Sequence, residues 1–430
     1  MSESATSEFE ASVGLSRKWD AREAGKEVAR SAIKNLSRPP SFVLLFSTIH
    51  YEKHGGFEEF LAGVWDILPA GTPLVGGTVA GFMNNFGCYT RGCTALAVSY
   101  SDMDVAVGVG HNTRKNPKKA ANNFSNSLLN QIGKSHYANK FIFSVLPGGT
   151  VPQLFGIGRK KVMKSGMAGK LSLNLLDQSI KIVQTGPGRE EEVFDNLGKD
   201  LDDWSIIGGS AMDDLIQSRC YEFSGNDVLT ADLVGLGIKS NLKSEIITKY
   251  GLKKTGIKMH ITKKALRDCV ICEIDGKPAT KEFLNRINWP EDYLNDRLYT
   301  KTFYYPLGYE YKGVLRPQII GAFLGNHIAC GYSIKTDEIE ILSASGKSLL
   351  NAMKECAFEI NRLNPKIVLG VACATQLETL GSGIFIAQEK IEESFKDIPY
   401  VVGFYAGEES YTPYSPSKQL YDSFNLSCLY

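Results

Sequence analysis

The sequence predicts an α/β protein in which mixed β-sheets are covered by helices, built from recurring strand-helix-strand units and arranged as two domains. Three observations predict it. A pattern of buried-type strand, amphipathic helix and glycine-ended strand occurs three times along the 430 residues. The apolar runs of each copy are short and continuous, as strands covered on both faces require. The chain also changes character near residue 240, where NLKSEIITKYGLKKTGIKMHITKKA is basic and less periodic.

Residues 1–40 read as an amino-terminal extension, and MSESATSEFEASVGLSRKW lacks the basic start and apolar core of a secretory signal. The first copy begins with SFVLLFST at 41–48. It continues through FEEFLAGVWDIL at 57–68, whose spacing puts Phe57, Phe60, Leu61, Val64 and Leu68 largely on one side, and ends in TPLVGGTVAGF at 72–82. Such a helix closes a crossover between parallel strands. The next runs, TALAVSY and DVAVGVG, are separated only by SDMD, which is hairpin length and makes the sheet mixed. The second copy opens with FIFSVLPGG at 141–149 and, after a longer insertion, passes through EEVFDNLGKDL to WSIIGGSAMDD at 204–214.

The domain boundary falls near residue 250, giving domains at 41–250 and 251–430. Past it, CVICEIDGKPATKEFLNRI at 269–287 reads as strand, turn and helix, with Asp275 and Gly276 in the turn. The third copy has IVLGVACAT at 367–375, IAQEKIEESF, and IPYVVGFYAGEE at 398–409.

Lys plus Arg total 48 against 47 for Asp plus Glu, so there is no charge excess to attract nucleic acid or anionic lipid, and neither is expected as a partner. No stretch reaches the roughly 18 to 20 apolar residues of a membrane span. Nine cysteines, an odd number scattered through apolar segments, fit reduced buried thiols better than a disulfide framework. A cytoplasmic location follows as the expectation.

Most motifs that invite chemistry have a plainer structural reading. Cys269 and Cys272 form CVIC, but positions three apart on a strand point to opposite faces, and no second pair completes a zinc site. The six histidines form no HExxH and no paired cluster, although His50 and His54 lie in a loop after the first strand. VLPGGTVPQLFGIGRKKVMKSG at 145–166 matches neither phosphate-binding glycine pattern. SASGKSLL at 343–350 reads as a helix entrance whose hydroxyls cap free amides. No metal and no cofactor is therefore expected.

The glycine-ended strands GGTVAGF, GGSAMDD and GFYAGEE remain, because glycine at a strand end lets a ligand lie against exposed amides. In open α/β sheets, ligands sit at the carboxyl ends of strands. Glu408 and Glu409 close the last of these. Adjacent carboxylates carry a large burial cost, so one is expected to face solvent and the other a partner such as a ligand amine.

The glycine-rich exits of the first half, the xEIDGKPA turn at 272–279 and the terminal IVLGVAC...VVGFYAGEE arrangement together resemble the FIST family, from about residue 40 to 412. The resemblance implies a FIST N-like domain at 41–250 and a FIST C-like domain at 251–430. It also implies a sensory module for a small ligand, an amino acid or related polar metabolite, acting in signal transduction with a signalling protein as partner. With no output segment left over, the chain reads as a stand-alone sensor. The family's GFYTYGE pattern is matched at Gly403, Phe404 and Tyr405, with Gly407 and Glu408 arriving one residue early. Where members often carry arginine three residues after a cysteine, this chain has Cys373 and Gln376, which points to a less acidic ligand or to lost binding. The expected ligand-binding residues are thus Gly403, Phe404, Tyr405, Gly407, Glu408, Cys373 and Gln376, with no catalytic residue assigned. The alternatives are a thiol-dependent hydrolase or transferase using Cys373, and a protein-interaction scaffold without a ligand.

Overall fold

The computed structural model describes residues 8–150, 160–182, 189–413 and 415–430. Each of the three repeated units is a pair of parallel strands joined by a helical crossover. Phe42–Ser47 lies parallel to Leu74–Thr78, with helix Phe57–Trp65 between them. Asn139–Leu146 lies parallel to Ser205–Ser210, and Ile367–Cys373 to Tyr400–Tyr405. The expected helix face is the one that packs: Phe57, Phe60, Leu61, Val64 and Leu68 are all buried.

Each pair is extended by antiparallel neighbours, so the sheets are mixed. In the first sheet, Cys93–Ser99 runs antiparallel to both Phe42–Ser47 and Glu10–Ser16. The amino-terminal residues therefore belong to this layer, and helix Ala21–Ile33 covers it beside Phe57–Trp65. The expected hairpin across SDMD does not form. Cys93–Ser99 stays in the first sheet, whereas Met103–Gly110 pairs with Leu233–Ser240 in the second. A short turn can pass between sheets because both strands feed one shared core, where Phe42, Leu44 and Leu96 meet Phe143, Val145 and Leu236. Ile367, Leu369 and Val371 of the third sheet enter the same core.

Sheets also cross the expected boundary at residue 250. Gly81–Asn84 pairs with Tyr400–Tyr405, Ser205–Ser210 with Glu408–Thr412, and Ser244–Tyr250 with Ser423–Leu429. A fourth sheet is built around the long strand Leu252–Ala265 and strands that follow it, joined at one edge by Val162–Met163 from the first half. In it, Asp275 (φ 50°) and Gly276 (φ 73°) make the expected turn, leading through Lys277–Pro278 into helix Ala279–Arg286. Left-handed backbone at both positions is the geometry that an Asp-Gly pair adopts with little strain.

The three glycine-ended exits meet at one place. Met212 N donates to Thr78 O (2.9 Å), Ala406 N to Ser210 O (2.8 Å) and Ala80 N to Phe404 O (2.9 Å). These bonds close a ring through the second, first and third units in turn. Close approach explains the glycines: a Cβ on Gly209 would lie 2.4 Å from Tyr405 Cγ, and one on Gly76 1.7 Å from Leu45 O.

Gly209→Ala is expected to lower stability by about 1–3 kcal/mol, the usual cost of overpacking a filled site. Urea unfolding of both proteins measures it, and an unchanged midpoint would contradict the packing described for this exit.

Candidate functional site

The carboxyl ends of Ile367–Cys373 and Tyr400–Tyr405 open onto a cavity of about 310 Å³, within the ordinary range for small-ligand sites. Cys373, Tyr405 and Tyr421 form part of its wall, joined by Tyr299, Phe303 and Ile319. Its charged residues are Lys161, Asp214, Asp296 and Glu378, one base and three acids.

Cys373 ends its strand fully buried. Thr375 Oγ1 lies 3.0 Å from its sulfur and 2.6 Å from Asp422 Oδ1. Burial pushes the thiol well above its usual range, and the nearby Glu408 and Asp422 carboxyls push it further. At neutral pH this sulfur is an S–H group that can donate a weak hydrogen bond, not a thiolate nucleophile. No histidine lines the cavity to act as its base.

Glu408 and Glu409 are both buried, which overturns the expectation that one faces solvent. Neighbouring residues on a strand point to opposite faces, so each carboxyl enters a different part of the interior. Glu408 Oε2 accepts from Ser423 N (3.2 Å) and Oγ (2.9 Å), while Glu409 Oε1 accepts from Ser210 Oγ (2.9 Å). Burial is the main cause that raises both above the usual carboxyl range. Proton uptake is how buried acids without a cation avoid the larger cost of a buried charge.

Among the seven residues expected to touch ligand, Cys373 and Tyr405 line the cavity. The others stand behind its wall. Glu408 is turned to Ser423, and Gln376 Nε2 donates to Ser423 O (3.2 Å). Phe404 packs in the core on the helix-covered face of the third sheet. Gly403 leaves room for the ring of Tyr405, since a Cβ there would lie 2.5 Å from its Cε2. Gly407 leaves room for the Tyr332 hydroxyl, 1.9 Å from where its Cβ would be. That ring stacks on Tyr421, with centroids 4.3 Å apart.

Lys161, Asp214, Asp296 and Tyr421 were not expected here. They come from four separated segments; Lys161 closes GIGRKK and Asp214 closes GGSAMDD, both noted in the sequence, whereas no local motif marks Asp296 or Tyr421. Burial lowers Lys161 to about 8, with the charge of Asp213 acting the other way. Its Nζ donates to Gln217 Oε1 and to Ile216 O. Asp214 is raised, by burial first and then by Asp213, and Asp296 Oδ1 accepts from Val162 N at 3.1 Å.

Other motifs take structural roles. Ser345 caps helix Gly346–Asn361 in a reciprocal pair with Ser348. Cys269 and Cys272 are buried, and all nine cysteines are free thiols. His50 sits against Tyr51 and Trp19, away from the cavity wall. The GIGR part of GIGRKK lies outside the described residues. Among the described residues, no group of three or more His, Cys, Asp or Glu could hold a metal ion. No helix among them is long and apolar enough to cross a membrane.

A family model described as FIST N domain matches residues 41–277. No curated protein matches the chain. Among solved structures, a cyanuric acid hydrolase from A. caulinodans is similar at 10% identity and a TM-score of 0.29, over 56% of this chain and 72% of that one. A score that low bears on neither fold nor activity here.

Asp422 is fully buried, and burial raises it to about 7, against the lowering effect of the Thr375 hydroxyl. The folded state holds this proton more tightly than the unfolded chain, where an aspartate titrates near about 3.9. Its stabilising contribution is complete below that value and is lost as pH rises to about 7. Asp422→Asn, neutral throughout and still able to accept from Thr375, is expected to gain stability relative to the parent across this window. The steepest gain is about 1.4 kcal/mol per pH unit. Thermal unfolding at pH 5 and pH 8 measures it; an equal difference at both values would contradict the assignment.

Proposed function

From the premise that this chain belongs to the FIST family through its N domain, a family of sensor domains, we propose that it is a sensor for a free amino acid or a closely related zwitterionic metabolite. The reading extends to residues 251–430 as the FIST C-like half, which supplies Cys373, Tyr405 and Tyr421 to the cavity. The observation that carries the proposal is the charge pattern of that cavity: one lysine and three acids around about 310 Å³ with aromatic walls. Lys161 receives the ligand carboxylate. Asp214, Asp296 and Glu378 surround its ammonium group, and Tyr405 and Tyr421 face its side chain.

The state of Cys373 supports binding without turnover. A thiol held protonated by burial and two adjoining acids serves as part of a wall, whereas thiol hydrolysis needs a thiolate with a base beside it. Nine free cysteines fit a reducing compartment, and we place the protein in the cytoplasm. The occupied sensor signals through a protein partner.

A thermal-shift screen of amino acids with native mass spectrometry tests the reading, because a ligand selective for the folded state raises its melting temperature by mass action. At least one amino acid is expected to give a saturable shift. Lys161→Met is then expected to weaken that ligand by about 1.5–3 kcal/mol, the scale of a lost charged hydrogen bond. It should leave the corresponding amide, which has no carboxylate, little affected. Equal losses for acid and amide would place the carboxylate elsewhere, and no shift by any amino acid would reject the zwitterion reading.

A further inference from the structure

A second cavity, of about 980 Å³, lies where loop, helix and strand from five parts of the chain come together, and its charge is of one sign. Arg114 and Lys115 reach it from the loop after strand Met103–Gly110, and Lys170 from helix Gly166–Ile182. Arg189 stands just before helix Glu190–Asp200, while Lys263 and Arg267 come from the end of Leu252–Ala265 and the turn that follows. No carboxylate side chain lines it among the described residues. On a chain whose bases and acids number 48 and 47, such segregation is local, not a reflection of composition.

The state of these cations separates them from an ordinary solvated face. Glu192 neutralises Arg189, and Glu273 stands 3.8 Å from Lys263. Lys115, Lys170 and Arg267 have no ion pair among the described residues. Arg114 is only 4% exposed. Its hydrogen bonds run to carbonyls, Gly148 O and Thr230 O, and its Nε has no hydrogen-bond partner among the described residues. Behind it stand two buried acids, Glu190 and Glu222, both of which burial raises above the usual carboxyl range. A buried guanidinium with a free N–H, backed by acids that favour the neutral form and fronted by further cations, has the chemistry of a site that takes an anion.

We infer that this basic cavity binds a small anion carrying several phosphate groups. Arg114 offers a fixed donor at depth, and the three unpaired cations at the rim neutralise the remaining charge. One monovalent anion would leave most of the cavity's charge uncompensated, whereas a chain of phosphates spans it. This site is separate from the amino-acid cavity and stands or falls independently of it.

Isothermal titration calorimetry with inorganic tripolyphosphate, and in parallel with ATP, tests the inference on the whole chain. Saturable binding is expected for both probes, within about tenfold of each other and weakening as salt is raised. The double variant Lys170→Glu with Arg267→Glu, both at exposed positions, is expected to weaken tripolyphosphate at least tenfold while keeping the parent's melting temperature. Lys253→Glu with Lys258→Glu makes the same charge change outside the cavity and should leave binding unchanged. The inference is overturned by any of three results: no saturable heat at millimolar tripolyphosphate, equal weakening in both double variants, or binding of ATP alone.

Discussion

The ring of backbone hydrogen bonds among the three strand exits is the constraint from which the rest of the architecture follows. Thr78, Ser210 and Phe404 each offer a carbonyl to the next exit, and Met212, Ala406 and Ala80 supply the donors. Backbone groups at the end of a buried strand must find partners, because an orphaned one costs about as much as a lost hydrogen bond. Here each unit satisfies another's groups, so no unit is complete alone. The same dependence explains the crossed sheets, in which Gly81–Asn84 extends the third unit and Glu408–Thr412 extends the second. It also explains why one apolar core joins Phe46, Val145 and Val371 from three sheets.

Tight convergence leaves little room for solvent, and the polar residues brought inside must be neutral or paired. Among the described residues, Glu408, Glu409 and Asp422 are buried with hydroxyl partners and not with cations, and burial raises all three. A protonated carboxyl is a donor as well as an acceptor, so Glu408 and Glu409 act as hydrogen-bond links between strands, and Asp422 ties a turn to the helix that Thr375 opens. Ser423 illustrates the economy of the arrangement: its hydroxyl reaches Glu408, its carbonyl accepts from Gln376, and Asn425 donates to its oxygen.

The repeated unit was legible in the sequence because it depends on local signals: a continuous apolar run, a helix with one apolar face, and glycine where the backbone must pass close. The Asp275-Gly276 turn and the Ser345 cap were legible for the same reason. What misled was proximity along the chain. SDMD looked like a hairpin because sequence separation was short, yet its two strands found better partners in different sheets. Glu408 and Glu409 looked too costly to bury together, but strand alternation sends them to separate environments. Of the cavity, Cys373 and Tyr405 could be found from their strand ends. Lys161, Asp214 and Tyr421 could not, since only tertiary packing brings these separate segments to the strand ends of the third unit.

The cavity and the ring share atoms, and this sets how a bound ligand can act. Ala406 lines the cavity while its N–H bonds to Ser210, and Met212 lines it while its N–H bonds to Thr78. Displacing either residue would strain a join between units, each bond contributing about 1 kcal/mol. A ligand shifts an equilibrium only by its differential affinity for the two states. The wall formed by the strand exits is therefore the fixed side of the site. Lys161 and Asp296 approach from outside the ring, tied to each other's neighbourhood through the bond from Val162 N to Asp296. On the proposed zwitterion reading, closure would draw this side toward the ring, and a partner that reads occupancy would contact the face carrying Lys161 and Asp296.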